Sequence, residues 1–105
     1  MNILMIDTSG PACGVAIMAD GRLVYEAELT HKQTHSQRVM PMVDTALQMS
    51  DMTAADMDVF GAVVGPGSFT GVRIGVSTVK ALAHAADKPC VAVDALEALA
   101  ANVTA

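Results

Sequence analysis

The segment VFGAVVGPGSFTGVRIG, residues 59–75, predicts a buried strand that runs directly into a helix. Residues 59–64 form a short apolar run of the kind found in buried strands, and the glycines and proline after it break the strand. The pattern then becomes helical over residues 70–86, with Ser68 or Thr70 available as the N-cap. A strand followed at once by a helix indicates a crossover connection, which is a building unit of α/β sheets.

Upstream of this unit, the sequence predicts a meander of three strands and then a helix. The strands are expected over residues 3–6, 13–18 and 23–29, and the third alternates like a strand with one solvated face. An Asp-Gly pair at residues 20–21 is a strong signal for a tight hairpin turn. The hydrophobic period changes to that of a helix over residues 36–50.

Downstream, a fifth strand is expected over residues 90–93, followed by a last helix over residues 95–103 with Asp94 as its N-cap. The order β-β-β-α-β-α-β-α indicates an α/β fold with a mixed five-stranded sheet and helices on its faces. Residues 1–105 are expected to form one domain. Because the sequence stops just after the last helix, we expect a single lobe whose second lobe is absent.

The composition narrows the class of function. The chain has 105 residues, is 52% hydrophobic and carries a net charge of −5, which argues against disorder and against direct binding of nucleic acid. The N-terminus lacks a basic region and no apolar run reaches the ~20 residues of a membrane span, so a cytoplasmic protein is expected. Cys13 and Cys90 form no metal or redox motif and are expected to be buried thiols.

Three motifs carry a resemblance to a known family. They are Ile6-Asp7-Thr8-Ser9, His35-Ser36-Gln37-Arg38 and the highly specific run GPGSFTGVRIG at residues 65–75. Together they resemble the amino-terminal lobe of the bacterial TsaB family, also called YeaZ, over essentially the whole chain. The resemblance implies an actin-like, ribonuclease-H-like lobe of the ASKHA superfamily.

The same resemblance implies a non-catalytic role. Members of the family assist the TsaD subunit, which transfers threonylcarbamoyl to an adenosine beside the tRNA anticodon, and TsaB is regarded as a dimerisation subunit. A TsaD-like subunit is therefore the expected partner, with a homodimer when the protein is alone and tRNA contacted only indirectly. TsaD carries an H-x-x-x-H metal motif after the fifth strand, and the matching positions here are Ala95 and Leu99. Neither side chain binds metal, so no metal and no catalytic residue is expected.

Both central helices have more apolar surface than a sheet can cover. In the first helix the apolar residues span roughly 180°, whereas packing on a sheet needs only about 100°. In the second helix a face of small and apolar residues lies opposite the face expected to pack on the sheet. An excess of this kind indicates an interaction surface. The predicted interface comprises Val39, Met40, Met42, Val43, Ala46, Leu47 and Met49 of the first helix with Ile74, Thr78, Ala81 and Ala85 of the second.

A rival hypothesis is the nucleotide-binding half of an ASKHA phosphotransferase or a hydrolase, the latter in line with an older glycoprotease label. Asp7 and Thr8, with Gly67 and Ser68 of the glycine segment, are the candidate phosphate-binding residues. The alternative for Asp7 is a turn residue that bonds nearby N–H groups, and for the glycines a tight strand-to-helix turn. No cofactor is expected, and ATP or ADP would fit only between two lobes or in a complex.

Overall fold

The computed structural model describes residues 1–30, 35–65 and 69–94. The strands and helices, in chain order, are β1 (Asn2–Asp7), β2 (Cys13–Ala19), β3 (Arg22–Leu29), α1 (His35–Met49), β4 (Val59–Val63), α2 (Phe69–Ala86) and β5 (Cys90–Val93). A short 3₁₀ turn, Ala54–Asp56, precedes β4. This order confirms the five predicted strands and the first two predicted helices. The helix predicted over residues 95–103 lies outside the described residues.

The first three strands form the predicted meander, in which β2 pairs antiparallel with both β1 and β3. The turn between β2 and β3 contains Asp20 with φ 54° and Gly21 with φ 77°. Positive φ at both central residues is what a hairpin turn of type I′ requires, and Asp-Gly tolerates it well. The Asp-Gly signal therefore predicted this hairpin correctly.

The sheet is mixed and has the order β3-β2-β1-β4-β5. The strand β4 runs parallel to β1 on one side and to β5 on the other. The connections through α1 and through α2 both move toward the β5 edge of the sheet, and crossovers of this type are almost always right-handed. Equal handedness and direction put both helices on the same face of the sheet. Among the described residues, neither helix is long and apolar enough to cross a membrane.

The core lies between that face and the two helices. Leu4 and Ile6 of β1 pair with Ile17 and Val15 of β2, and all four side chains are at most 2% exposed. The residues that cover them from the helices are Val39, Val43 and Ala46 of α1 and Val79 and Ala83 of α2. Their spacing of three or four residues is that of one helical face. Complete burial is therefore confined to a narrow stripe of each helix, and half-buried residues such as Met42, Ile74 and Leu82 pack beside it.

Candidate protein-interaction site

The turn that follows β1 is closed by its own side chains. The carboxylate Oδ1 of Asp7 accepts hydrogen bonds from the backbone N–H of Ser9 at 3.0 Å and from its hydroxyl at 2.6 Å. This is the arrangement by which an aspartate stabilises a turn two residues ahead of it. The interpretation of Asp7 as a turn residue is therefore confirmed, although its side chain remains exposed to solvent.

Thr8 faces inward and is 0% exposed. Its hydroxyl donates a 2.5 Å hydrogen bond to the carbonyl oxygen of Gly71, in the first turn of α2. The Thr8 hydroxyl is therefore engaged within the protein, and phosphate binding by Thr8 stays a prediction. Gly67 and Ser68, the other candidates on the glycine segment, lie outside the described residues.

Gly10, in the same turn, is held by the other helix, α1. Nε2 of His35, the first residue of α1, lies 2.8 Å from the carbonyl oxygen of Gly10. A carbonyl only accepts, so Nε2 carries the proton in this contact. The described residues contain no group of three histidines, cysteines, aspartates or glutamates that could hold a metal ion.

The two cysteines occupy different environments. Cys13 is 1% exposed, and burial, with a smaller effect from the charge of Asp7, raises the pKa of its thiol. It is therefore a protonated core residue, as expected. Cys90 lies at an edge of the sheet and is exposed, so the expectation of two buried thiols was wrong for this residue. An edge strand is packed on fewer sides than a central strand, which the sequence of one strand does not reveal.

An open groove runs between α1 and α2 on the outer side of the helical layer. Its wider part, of about 450 Å³, continues into a second part of about 370 Å³, and Met40, Ser77 and Thr78 line both. We call these two parts together the helix groove. The remaining lining residues are Ser36, Val39, Thr70, Arg73 and Ile74 at the wider end and Ala81, Leu82 and Ala85 at the other.

Part of the predicted interface is available at the surface. Met40 is 41% exposed and Met49 is 72% exposed, and Ala81 and Ala85 are also exposed. Four further residues of the predicted interface are half-buried and still reach solvent, namely Met42, Leu47, Ile74 and Thr78. Eight of the predicted residues are thus accessible from outside the core, and their role as an interface stays a prediction.

The remaining three predicted interface residues are corrected to core residues. Val39 is 2% exposed, and Val43 and Ala46 are 0% exposed. They lie at positions i, i+4 and i+7, which form the face of α1 that packs on the sheet. Because the apolar arc of α1 is about twice as wide as the sheet requires, the sequence alone could not say which part of it would be buried.

The sequence reasoning missed the polar lining of the helix groove. Ser36, Thr70 and Ser77 are exposed there, together with the charged Arg73. Ser77 precedes Ala81 and Ala85 at intervals of four residues, so the exposed small-residue row of α2 begins one turn earlier than predicted. Extending the helical spacing back from Ala81 would have found it.

The fold places the chain among actin-like α/β lobes. A Bacteroides thetaiotaomicron protein described as having an actin-like ATPase fold matches with a TM-score of 0.60 over 99% of this chain and 37% of that chain. The two sequences are 9% identical, so this likeness shows the fold alone. The predicted fold class is confirmed.

The sequence comparisons then identify the family. A protein-family model described as "TsaD: tRNA N6-adenosine threonylcarbamoyltransferase" matches residues 27–105. The TsaB protein of Bacillus subtilis, a tRNA threonylcarbamoyladenosine biosynthesis protein, is 44% identical over 97% of this chain, and that of Escherichia coli is 41% identical over 95%. The chain belongs to the TsaB (YeaZ) family within this group of threonylcarbamoyladenosine proteins.

A solved structure agrees with this assignment. YeaZ from Pseudomonas aeruginosa matches with a TM-score of 0.81 and 36% identity over 89% of this chain. The match covers 43% of the YeaZ chain, and the sequence matches cover 44% and 43% of the two TsaB proteins. The chain thus spans less than half the length of the relatives it matches.

Proposed function

We propose that this chain is a non-catalytic accessory lobe that binds a TsaD-like subunit through the helix groove and so supports threonylcarbamoylation of tRNA in the cytoplasm. The observation that carries the proposal is the apolar surface left on α1 and α2 after the core is complete. Met40, at 41% exposed, lies beside exposed Ala81 and Ala85 along the groove. Small residues on one helix let another helix approach closely, and methionine adapts its shape to the surface it meets.

The hydroxyl of Thr78, which lines both parts of the helix groove, does not oppose burial by a partner. The hydroxyl of Thr78 donates to the carbonyl oxygen of Ile74 at 2.7 Å, within α2 itself. Covering this hydroxyl leaves no donor without a partner, which removes a desolvation cost of about 1–3 kcal/mol. The narrower end of the groove, where Leu82 and Met40 meet the alanines, therefore suits an apolar partner surface.

The partner is proposed from the family. The matching of residues 27–105 by the TsaD model indicates that this lobe and TsaD share a common fold, so two related lobes could pair groove to groove. The same geometry supports a homodimer when this chain is alone. In such a dimer the contact is isologous, and α2 meets its own copy across a two-fold axis.

The proposal is tested with purified proteins. Sedimentation velocity and calorimetry would measure association of the chain with itself and with a TsaD-like protein. Ala81→Glu and Met40→Glu place a charge in the groove and are expected to weaken binding at least tenfold. Val24→Glu, at a position that is 45% exposed on β3, is the matched control and should bind normally. Equal binding by all three variants would exclude the groove as the docking site.

We also propose that nucleotide and tRNA bind to other parts of the assembly rather than to this chain. Thr8 is buried and one carboxylate oxygen of Asp7 closes the turn, so we expect no calorimetric heat from ATP or ADP with Mg²⁺ on this chain. The net charge of −5 likewise favours tRNA contact through the partner. Turnover of ATP by the chain that Asp7→Ala abolishes would instead support the phosphotransferase alternative.

A further inference from the structure

We infer that Thr8 and His35 are positioning residues that set the width of the helix groove by fastening the first turns of α1 and α2 to one turn of the sheet. The inference rests on the proposed function in taking the groove as the docking site. Its structural part concerns the distance between two helices and can be measured without any partner.

The α2 side of this arrangement is a close, buried contact. The hydroxyl of Thr8 donates to the carbonyl oxygen of Gly71, and the two residues are 63 positions apart in sequence. One turn later, a Cβ added to Gly75 would lie 2.6 Å from the same Oγ1. The first two turns of α2 therefore rest directly on Thr8, and the hydrogen bond fixes where along its axis α2 sits.

On the α1 side, the contact is made with Gly10, two residues after Thr8. His35 begins α1, and its Nε2 donates to the carbonyl oxygen of Gly10 at 2.8 Å. Gly10 and Thr8 belong to the same short turn, which Asp7 closes through Ser9. Two helices that are separate in sequence are thus held by hydrogen bonds to the same turn.

The wide end of the helix groove opens immediately beside these contacts. Ser36, the residue after His35, lines it from α1, and Thr70 and Ile74 line it from α2. Thr70 precedes Gly71 and Ile74 precedes Gly75 in the chain. Any shift of either first turn therefore moves the groove wall, whereas the core residues of both helices lie further along.

The helix separation is tested by spin labels at Asp44 and Lys80, two exposed residues on α1 and α2. The labels are attached to cysteines introduced by Asp44→Cys and Lys80→Cys. The Cys90→Ser background removes the exposed native thiol, and Cys13 can stay because it is buried with a raised thiol pKa. Thr8→Val keeps the shape of the side chain, and His35→Phe keeps a ring; each removes one donor. Both are expected to broaden the distance distribution, and His35→Gln, which retains a donor, should restore it. Thr45→Val and His84→Phe, at exposed helix positions, are the matched controls.

The same variants are then titrated with a TsaD-like protein, well below their unfolding midpoints. We expect Thr8→Val and His35→Phe to weaken binding about tenfold and the controls to bind normally. Unchanged distance distributions would overturn the inference. If the distances broaden but the wild-type chain binds no TsaD-like protein, the positioning role stands and the proposed function fails. If Thr8→Val does not fold, the comparison of His35→Phe with His35→Gln decides.

Discussion

Gly75 lies directly over Thr8: a Cβ built on this glycine would stand 2.6 Å from the threonine Oγ1. Real Cβ atoms do not approach another heavy atom so closely, and Thr8 is 0% exposed with its hydroxyl committed to Gly71. The contact joins the end of the first strand to the start of the second helix. It is therefore a point of close approach between α2 and the end of β1.

In Gly75→Ala the added methyl forces α2 away from Thr8, which costs about 1–3 kcal/mol. Alanine regains ~1 kcal/mol over glycine inside a helix, so the expected net loss of stability is up to about 2 kcal/mol. Urea unfolding followed by circular dichroism would measure it. Gly10→Ala is the control, since nothing lies within 4 Å of a Cβ there. A Gly75→Ala protein as stable as the wild type would contradict the close approach.

Both described helices end with an aspartate in the left-handed conformation, Asp51 and Asp87, each with φ 56°. At the end of α1 the N–H of Met52 bonds to the carbonyl oxygen of Leu47 at 2.9 Å, which closes a Schellman motif around Asp51. Glycine adopts this conformation without steric cost. Asp51→Gly is therefore expected to raise the free energy of unfolding by about 0.5–1 kcal/mol.

The control for this change is Asp44→Gly, at an exposed position within α1. There glycine has a lower helix propensity than aspartate, and a loss of about 0.3 kcal/mol is expected. Thermal or urea unfolding should thus give shifts of opposite sign for the two variants. Shifts of the same sign would show that Asp51 is not strained at the end of α1.

The N-terminal amine and Asp20 form an exposed ion pair at 2.7 Å. The hydrogen bond between them raises the pKa of the amine above its ordinary 8.0 and lowers the pKa of the carboxyl below its ordinary 3.8. A raised amine pKa contributes stability below pH 8.0 that disappears as the pH rises through the folded value. A lowered carboxyl pKa contributes stability above pH 3.8 that disappears as the pH falls through its folded value.

Asp20→Asn should therefore reduce the loss of stability as the pH is raised above 8.0, because the amine no longer has a carboxylate partner. Asn-Gly suits the same type I′ turn, so the hairpin is kept. The measurement is the urea midpoint as a function of pH, with Asp44→Asn as the charge-matched control. Parallel curves for wild type and Asp20→Asn would show that this exposed pair contributes nothing measurable.

The two thiols should react at very different rates. Cys90 is exposed, whereas Cys13 is 1% exposed and its thiol pKa is raised by burial. A thiol reagent at pH 8 is expected to modify Cys90 rapidly and Cys13 only on unfolding. Mass spectrometry of the digested protein identifies the sites, and Cys90→Ser should remove the rapid reaction. Rapid labelling of Cys13 in native protein would contradict its place in the core.

The sequence by itself determined the order of strands and helices and the hairpin at Asp20 and Gly21. These features depend on hydrophobic period and on backbone conformations available to individual residues, and both are local. The motifs at residues 6–9, 35–38 and 65–75 also sufficed for the family, since the comparisons confirmed it. Local chemistry thus carried the prediction as far as fold class and family.

Only the tertiary structure decided which part of each helix is buried. The sequence showed that α1 has surplus apolar surface, but Val39, Val43 and Ala46 proved to be core while Met40 remained exposed. It could not place Thr8 against Gly71, because that contact joins residues 63 positions apart. A hydrophobic pattern states how much surface must be covered, whereas what covers it depends on where the sheet and the other helix lie. The buried Thr8 and the open helix groove both follow from that packing.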